Sequence, residues 1–300
     1  MVVRAGPSEN AARADGFSPA GPSDLRSCRA IAVLVPDEVA GDVLTRTVLP
    51  FASPGALLVF AHGFALRGDV APDLPDRLDV ALVGPLGPGA LLRERYVAGQ
   101  GLAGLAAVVW DHTGKCLETS LAYAAAIGLT RAGVLETTLD EEVVSDLFAE
   151  QAVLTGGVVE LIRAAFETLV EDGIAEEIAY YSCVQEMKQI LDLIYAEGIA
   201  GMRARTSGTA QYGGLTRGPR LVPPEVRDRL AGILAEVRDG RFAREWAAQA
   251  AAGGPDLKTL REREAAHPIE AAGRRVRERL GGPSRGPDGP PDRTDPLRER

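Results

Sequence analysis

Short apolar runs separated by turn residues fill the stretch from Arg29 to about Gly133: Ala30 to Val35, closed by Pro36, then Ala56 to Ala61, Val80 to Val83 and Gly104 to Trp110. Runs that are apolar throughout, rather than alternating, are what strands buried on both faces require. With helical stretches between them they predict an α/β half, a parallel sheet covered by helices. After Gly133 the period changes. Val158, Leu161, Ile162, Ala165, Phe166, Leu169 and Val170 fall on one broad stripe of a helix over Gly157 to Asp172, with Gly173 as its stop. A second helix is expected from about Ala175 to Ala196, ending at Gly198, and Pro223 and Pro224 open a third near Glu225. Asp256 is placed to cap a fourth through LKTLREREAA. The second half therefore reads as all-α. Gly281 to Arg300, rich in Pro, Gly, Arg and Asp, has little to bury and reads as a disordered tail. The expected organisation is an α/β domain over 1–133, a helical domain over 134–280 and a tail over 281–300.

Composition narrows the partners. Three hundred residues at 46% hydrophobic content can bury the cores of two ordinary domains. A net charge of -9, from 42 acidic against 33 basic residues, argues against nucleic acid and anionic membranes and leaves a small molecule as the expected ligand. Cys28, Cys116 and Cys183 have no paired or metal-ligand spacing, which fits a reducing cytosol better than a disulfide framework. The opening MVVRAGPSEN lacks a charged-then-apolar secretory pattern, and no stretch approaches about 18 uninterrupted apolar residues. A soluble, cytoplasmic protein without a membrane span is the expectation.

Asp146 and Glu150 lie four apart in SDLFAEQAVLTGG, so a helix projects both carboxylates from one face, and Glu142 extends the row. Such a pair suits a hard divalent cation such as Mg2+, and it equally suits a solvated helix face. Leu147, Phe148, Ala152, Val153 and Leu154 leave little of this helix purely polar, and burial would force the charges to find partners. Glu186, between Val184 and Met187, raises the same question. His62 follows the run ALLVFA and precedes Gly63, which puts it at the carboxyl end of a strand, the edge where open α/β sheets bind ligands. A structural hydrogen bond accounts for it equally well. His112, in DHTGK, reads as a turn residue, and His267, before Pro268, marks a helix interruption.

The strings LVPDEV, FAHGF, GPLGPG, TRAGVLETT, DLFAEQAVLTGGVVELIRAAFETLVEDG, LIYAEGIAGM, GRFAREW and HPIE, in this order, resemble ketol-acid reductoisomerase of the short form, from roughly Val2 to Leu280. The resemblance implies an N-terminal Rossmann-like domain for NADPH and a knotted helical domain that pairs with a second subunit. It also implies conversion of 2-acetolactate, or its ethyl homologue, by metal-assisted alkyl migration and then reduction, with Mg2+ polarising the substrate oxygens. Position by position, Asp146 matches the aspartate that bridges two metals, Glu150 a glutamate on the same helix, and Glu186 a metal-site glutamate from the partner subunit. Ser207, in RTSGTAQYG, matches a serine that contacts the substrate carboxylate, and His62 the histidine of the cofactor-side loop. Arg4 and Ser8 fall where side chains approach the NADPH 2'-phosphate.

Three departures from the family pattern change the expectation. Set against that pattern, the sequence starts within the second strand, with Val2, Val3 and Arg4 as its remnant, so the GxGxxG cradle and NADPH binding through it are not expected. Leu86, in VGPLGPG, stands where the family has a lysine, and Ser182 where it has a second glutamate four residues before Glu186. Together they predict one Mg2+ rather than two, and altered or reduced activity on a 2-hydroxy-3-keto acid or related keto acid. The alternative is a catalytically dead paralogue. The helical domain would form a homodimer in the first case and, in the second, a heterodimer with an active reductoisomerase.

Overall fold

Five strands form one sheet in the order β1-β2-β3-β4-β5: Ala30–Val33, Leu57–Phe60, Asp79–Pro85, Gly104–Trp110 and Val134–Glu136. The structure is a computed structural model that describes residues 1–3, 6–67, 73–253 and 255–280, with the side chains of Ser8 and Pro255 outside that description. Arg4 and the expected tail over 281–300 therefore lie outside the described residues. The α-helices are α1 (Pro7–Ala14), α2 (Asp37–Val43), α3 (Gly89–Val97), α4 (Cys116–Ala126), α5 (Leu139–Ala149), α6 (Gly157–Glu171), α7 (Glu176–Tyr180), α8 (Glu186–Arg205), α9 (Gly208–Leu221), α10 (Pro224–Arg238), α11 (Arg241–Ala251), α12 (Pro255–Ala265) and α13 (Pro268–Leu280). The chain divides into two compact units, one of Met1–Ala149 and Leu234–Ala251, the other of Glu150–Ile233 and the residues from Ala252 onward.

In the first unit β2 and β3 are buried on both faces, whereas β1 alternates exposed and buried residues and β4 and β5 are partly exposed. Leu58 and Phe60 point into a cluster with Ile31, Val33, Leu44 and Val80, while Leu57 and Val59 point the other way, into Ala81, Val83, Cys116 and Leu129. Fully burying one such side chain stabilises the fold by roughly 1.5–3 kcal/mol, so the alternation puts every residue of β2 to use. A third cluster joins Phe64, just after β2, to Val143 and Leu147 of α5, Val237 of α10 and Ala243 of α11. It seats α5 beside the carboxyl end of β2.

Two expectations about this unit are corrected. The sheet is not wholly parallel: β1, β2 and β3 run parallel, but β4 is antiparallel to β3, with Pro85 opposite Gly104. The chain thus leaves the sheet through α3 and returns at the edge it left, which an apolar run cannot reveal. The sheet also continues past Gly133, where Val134–Glu136 adds a short fifth strand parallel to β4.

The second unit is helical around a small core of Phe166, Ala179, Tyr180, Ala272 and Val276. The expected single helix from Ala175 to Ala196 is instead α7, a π-turn over Tyr181–Gln185, and α8. Gly198 does interrupt it, with φ 72° and ψ 177°, but the helix resumes to Arg205. Only a residue without Cβ adopts that backbone readily, which is why the stop signal was legible and the restart was not. Asp256 lies inside the first turn of α12 rather than at its cap position. Further π-turns occupy Leu44–Val48 and Glu150–Leu154, the latter closed by the Thr155 N–H on the Glu150 carbonyl at 2.9 Å.

Candidate functional site

The stripe of α5 that faces the first unit's interior runs Leu139, Glu142, Val143, Asp146, Leu147, so two carboxylates occupy positions a core helix would fill with apolar groups. Glu142 is 5% exposed. Its charge is met by the loop after β2, where the Gly63 N–H donates to Glu142 Oε2 at 3.1 Å. Gly63 permits that approach, because a Cβ there would stand 2.5 Å from Val143 Cγ2 and 2.6 Å from Glu142 Oε2. His62 completes the group, with Nδ1 3.3 Å from Glu142 Oε1 and 3.2 Å from Asp146 Oδ2. The three ligand atoms lie within 4.8 Å of one another.

Burial pulls the His62 pKa down, but the hydrogen bond and charge of Glu142, with the charges of Asp146 and Asp37, more than reverse this, so the imidazolium is favoured. Asp146 moves up, first through burial and then through the Glu142 charge, against the pull of His62. Asp37, in the first turn of α2, also moves up through burial, although its surface is exposed, and His62 acts on it in the opposite sense. Three carboxylates around one imidazole leave a net negative site even with His62 protonated. Such a site accepts a proton or a cation, and its oxygen donors fit a hard divalent ion.

The structure brings together two of the residues singled out in the sequence, His62 and Asp146. Glu142, read there only as an extension of the row, is the deepest member. Asp37 was missed, although it follows an apolar run and Pro36 and so marks the same sheet edge as His62. Leu86 lies just past β3 at that edge, 51% exposed, its N–H on the Ala103 carbonyl at 2.9 Å. In the second unit, Glu150 opens one π-turn and Glu186 follows another, both exposed. Ser182 lies within the latter turn. Ser207 caps α9, its Oγ accepting the Ala210 N–H at 3.2 Å.

Of the described strand-to-helix turns, the one after β1 does not suit a pyrophosphate, because its helix opens with Asp37 and Glu38, which repel it. Arg4 and the Ser8 side chain lie outside the described residues.

Comparison with known proteins gives two family matches, an acetohydroxy acid isomeroreductase NADPH-binding domain over residues 2–133 and a ketol-acid reductoisomerase C-terminal domain over 139–281. The chain is 46% identical over 252 residues to a ketol-acid reductoisomerase (NADP(+)) of Methanocaldococcus jannaschii, covering 84% of this chain and 76% of that one. Among solved structures it is similar to an NADH-preferring ketol-acid reductoisomerase from an uncultured archaeon, with TM-score 0.88 and 37% identity, over 93% of this chain and 85% of that one. A semialdehyde dehydrogenase NAD-binding protein from Cupriavidus necator, at 16% identity and TM-score 0.61 over 79% and 87% of the two chains, shares the fold alone.

Proposed function

Because the chain belongs to the ketol-acid reductoisomerase family, we propose that it performs that family's type of chemistry on a 2-hydroxy-3-keto acid or a related 2-keto acid, at a reduced rate. The observation that carries this reading is the meeting of His62 with Glu142 and Asp146 at the carboxyl end of β2. Unrelated drift would not be expected to keep a buried carboxylate, the glycine that admits it and the histidine that faces it. Asp146 and Glu150, with Glu186 contributed by a second subunit, are the oxygen donors that would hold Mg2+, which when bound would polarise the substrate oxygens. NADPH, when bound, supplies the hydride.

The chain's own residues have separable roles in this reading. His62 is held at Nδ1 by two carboxylates, which favour the imidazolium and so place a positive charge beside an oxygen that gains negative charge. Glu142, fixed by the Gly63 N–H, keeps the imidazole oriented. The Ser207 oxygen is occupied by its cap bond, but its hydrogen remains free to meet a substrate carboxylate. Leu86 offers neither charge nor proton where the family has a lysine, and losing one such group costs a factor of about a hundred to ten thousand. Ser182 is a weaker ligand than a carboxylate, which favours one Mg2+ over two. Leu191 and Tyr195, one turn apart on α8 and 52% and 95% exposed, support pairing of the helical unit with a second copy. No helix among the described residues is long and apolar enough to cross a membrane.

The test is NADPH consumption with Mg2+ and 2-acetolactate by the full chain and by its Leu86→Lys, Ser182→Glu double variant. Slow turnover that the double variant accelerates is the expected result. Equal rates in both would defeat the claim of reduced activity. A second reading, a non-catalytic subunit pairing with an active homologue, draws on Leu86 and Ser182 alone. It predicts silence from the chain and co-purification with an intact reductoisomerase on co-expression.

A further inference from the structure

In the second unit α7 packs between α13 and α6. Ala179 and Tyr180 are buried there against Ala272 and Val276. Gly273 lies so close to the Tyr180 ring that a Cβ would stand 2.6 Å from Cε2 and 2.8 Å from Cζ. The Arg277 guanidinium donates to the Tyr180 hydroxyl at 2.9 Å. One turn earlier, Arg275 grips Glu177 and Glu176, each at 2.6 Å. Tyr180 is thus held by packing on one face, a hydrogen bond at its tip and two ion pairs at the root of its helix.

Immediately after Tyr180 comes the π-turn Tyr181–Gln185, closed by the Glu186 N–H on the Tyr181 carbonyl. A π-turn is rare, because it fits an extra residue into one turn, and it persists where its surroundings hold it. An α-helix turns about 100° per residue, so relaxing the π-turn by one residue would swing Glu186 about a quarter turn around the axis relative to Tyr180. Val184, inside the turn, packs on the same core as Tyr180, whereas Tyr181, Ser182 and Glu186 are exposed. The direction of Glu186 is therefore set by what grips Tyr180 and Val184.

We infer that α13 is a latch that holds this π-turn in register and so aims Glu186, which makes Tyr180, Gly273 and Arg277 positioning residues for the cation. The inference rests on the reading of Glu186 as a cation ligand. It adds that residues far along the sequence, none of them a ligand, set how tightly the ion is held.

The experiment is calorimetric titration of Mg2+ into the full chain and four variants, with helical circular dichroism and thermal midpoint recorded for each. Glu186→Gln tests the ligand. Gly273→Ala pushes on the Tyr180 ring and Tyr180→Phe removes the bond from Arg277, whereas Phe166→Leu loosens the same core without touching that bond. Loss of a group that orients a ligand typically weakens a metal about ten- to a hundredfold, and Gly273→Ala should fall in that range, with Tyr180→Phe at its lower end. Phe166→Leu should lower the midpoint and weaken Mg2+ less than Tyr180→Phe does, because it leaves the Arg277 bond in place. If Gly273→Ala does not fold, Tyr180→Phe decides.

Wild-type affinity in Gly273→Ala and Tyr180→Phe, beside a loss in Glu186→Gln, would overturn the latch and leave the ligand reading standing. Affinity that merely follows the thermal midpoint across all variants would overturn it too, as general loosening. Undiminished binding by Glu186→Gln would remove the ligand itself and the latch with it.

Discussion

The two units handle apolar residues in opposite ways. In the sheet unit Leu57, Leu58, Val59, Val80 and Leu82 are all but sealed from solvent, and three clusters cover both faces of the sheet and the seat of α5. In the helical unit one small core around Phe166 and Tyr180 does that work, while Leu191, Tyr195, Ile199 and Leu215 stand exposed. Their candidate polar groups differ in parallel: Glu142 is buried and met at every oxygen, whereas Glu150 and Glu186 are exposed on helices. The first unit keeps its largest apolar core within itself, and the second leaves a larger share of its apolar side chains exposed.

The largest effect should come from breaking the core of the sheet unit. Leu58→Ala should cost about 2–5 kcal/mol, the usual range for emptying a core leucine site. Cys116 reports it well, because burial and then the Asp79 charge push its thiol up to about 11, so it should resist alkylation until the sheet unit opens. Labelling should accelerate in Leu58→Ala at every protein concentration. A rate that depended on concentration would mean that this unit leans on a partner.

Next in size is Asp79→Ala. The buried Asp79 carboxylate accepts the His112 and Thr113 N–H groups at 2.8 and 2.9 Å and the Thr113 hydroxyl at 2.6 Å. Orphaning such donors costs about 1–3 kcal/mol, to be read from denaturant unfolding. On the helical side, Ser207→Ala should cost about 1 kcal/mol through the lost cap, with faster hydrogen exchange at Ala210 and none of the effect reaching the sheet unit. The smallest effect on the folding of a single chain should be that of Tyr195→Ser, within about 0.5 kcal/mol. Sedimentation should nevertheless show weaker self-association, and an unchanged profile would count against pairing through α8.

Much of this contrast was legible in the sequence. Continuous apolar runs located β1 to β4, and the Gly157 stripe located α6, because burial leaves a period that can be read one residue at a time. Direction and partnership leave no such trace. The run Gly104 to Trp110 looks the same whether it lies parallel or antiparallel to β3, and three residues at Val134 carry too short a signal to register. The π-turn at Tyr181 has ordinary helix-forming residues around it, so one smooth helix was expected. At the site, His62 was found from its place at a strand end and Asp146 from its row. Glu142 shares that row, but only the close approach of Gly63 shows that it faces inward. Asp37 reads as an ordinary acidic residue at a helix start until the fold brings it near His62.

The antiparallel return of β4 has a consequence for how this scaffold can change. Pro85 and Gly104 sit side by side, and the Leu86 N–H closes on the Ala103 carbonyl, so everything from Gly87 to Leu102 hangs from a closed neck. A segment whose two ends already meet can be shortened, lengthened or exchanged while the frame stays put. Leu86 stands at that neck, just past the carboxyl end of β3. A grafted excursion from a relative would therefore exchange the segment beside Leu86 as a unit, provided it keeps apolar residues where Leu92 and Leu102 pack against the sheet.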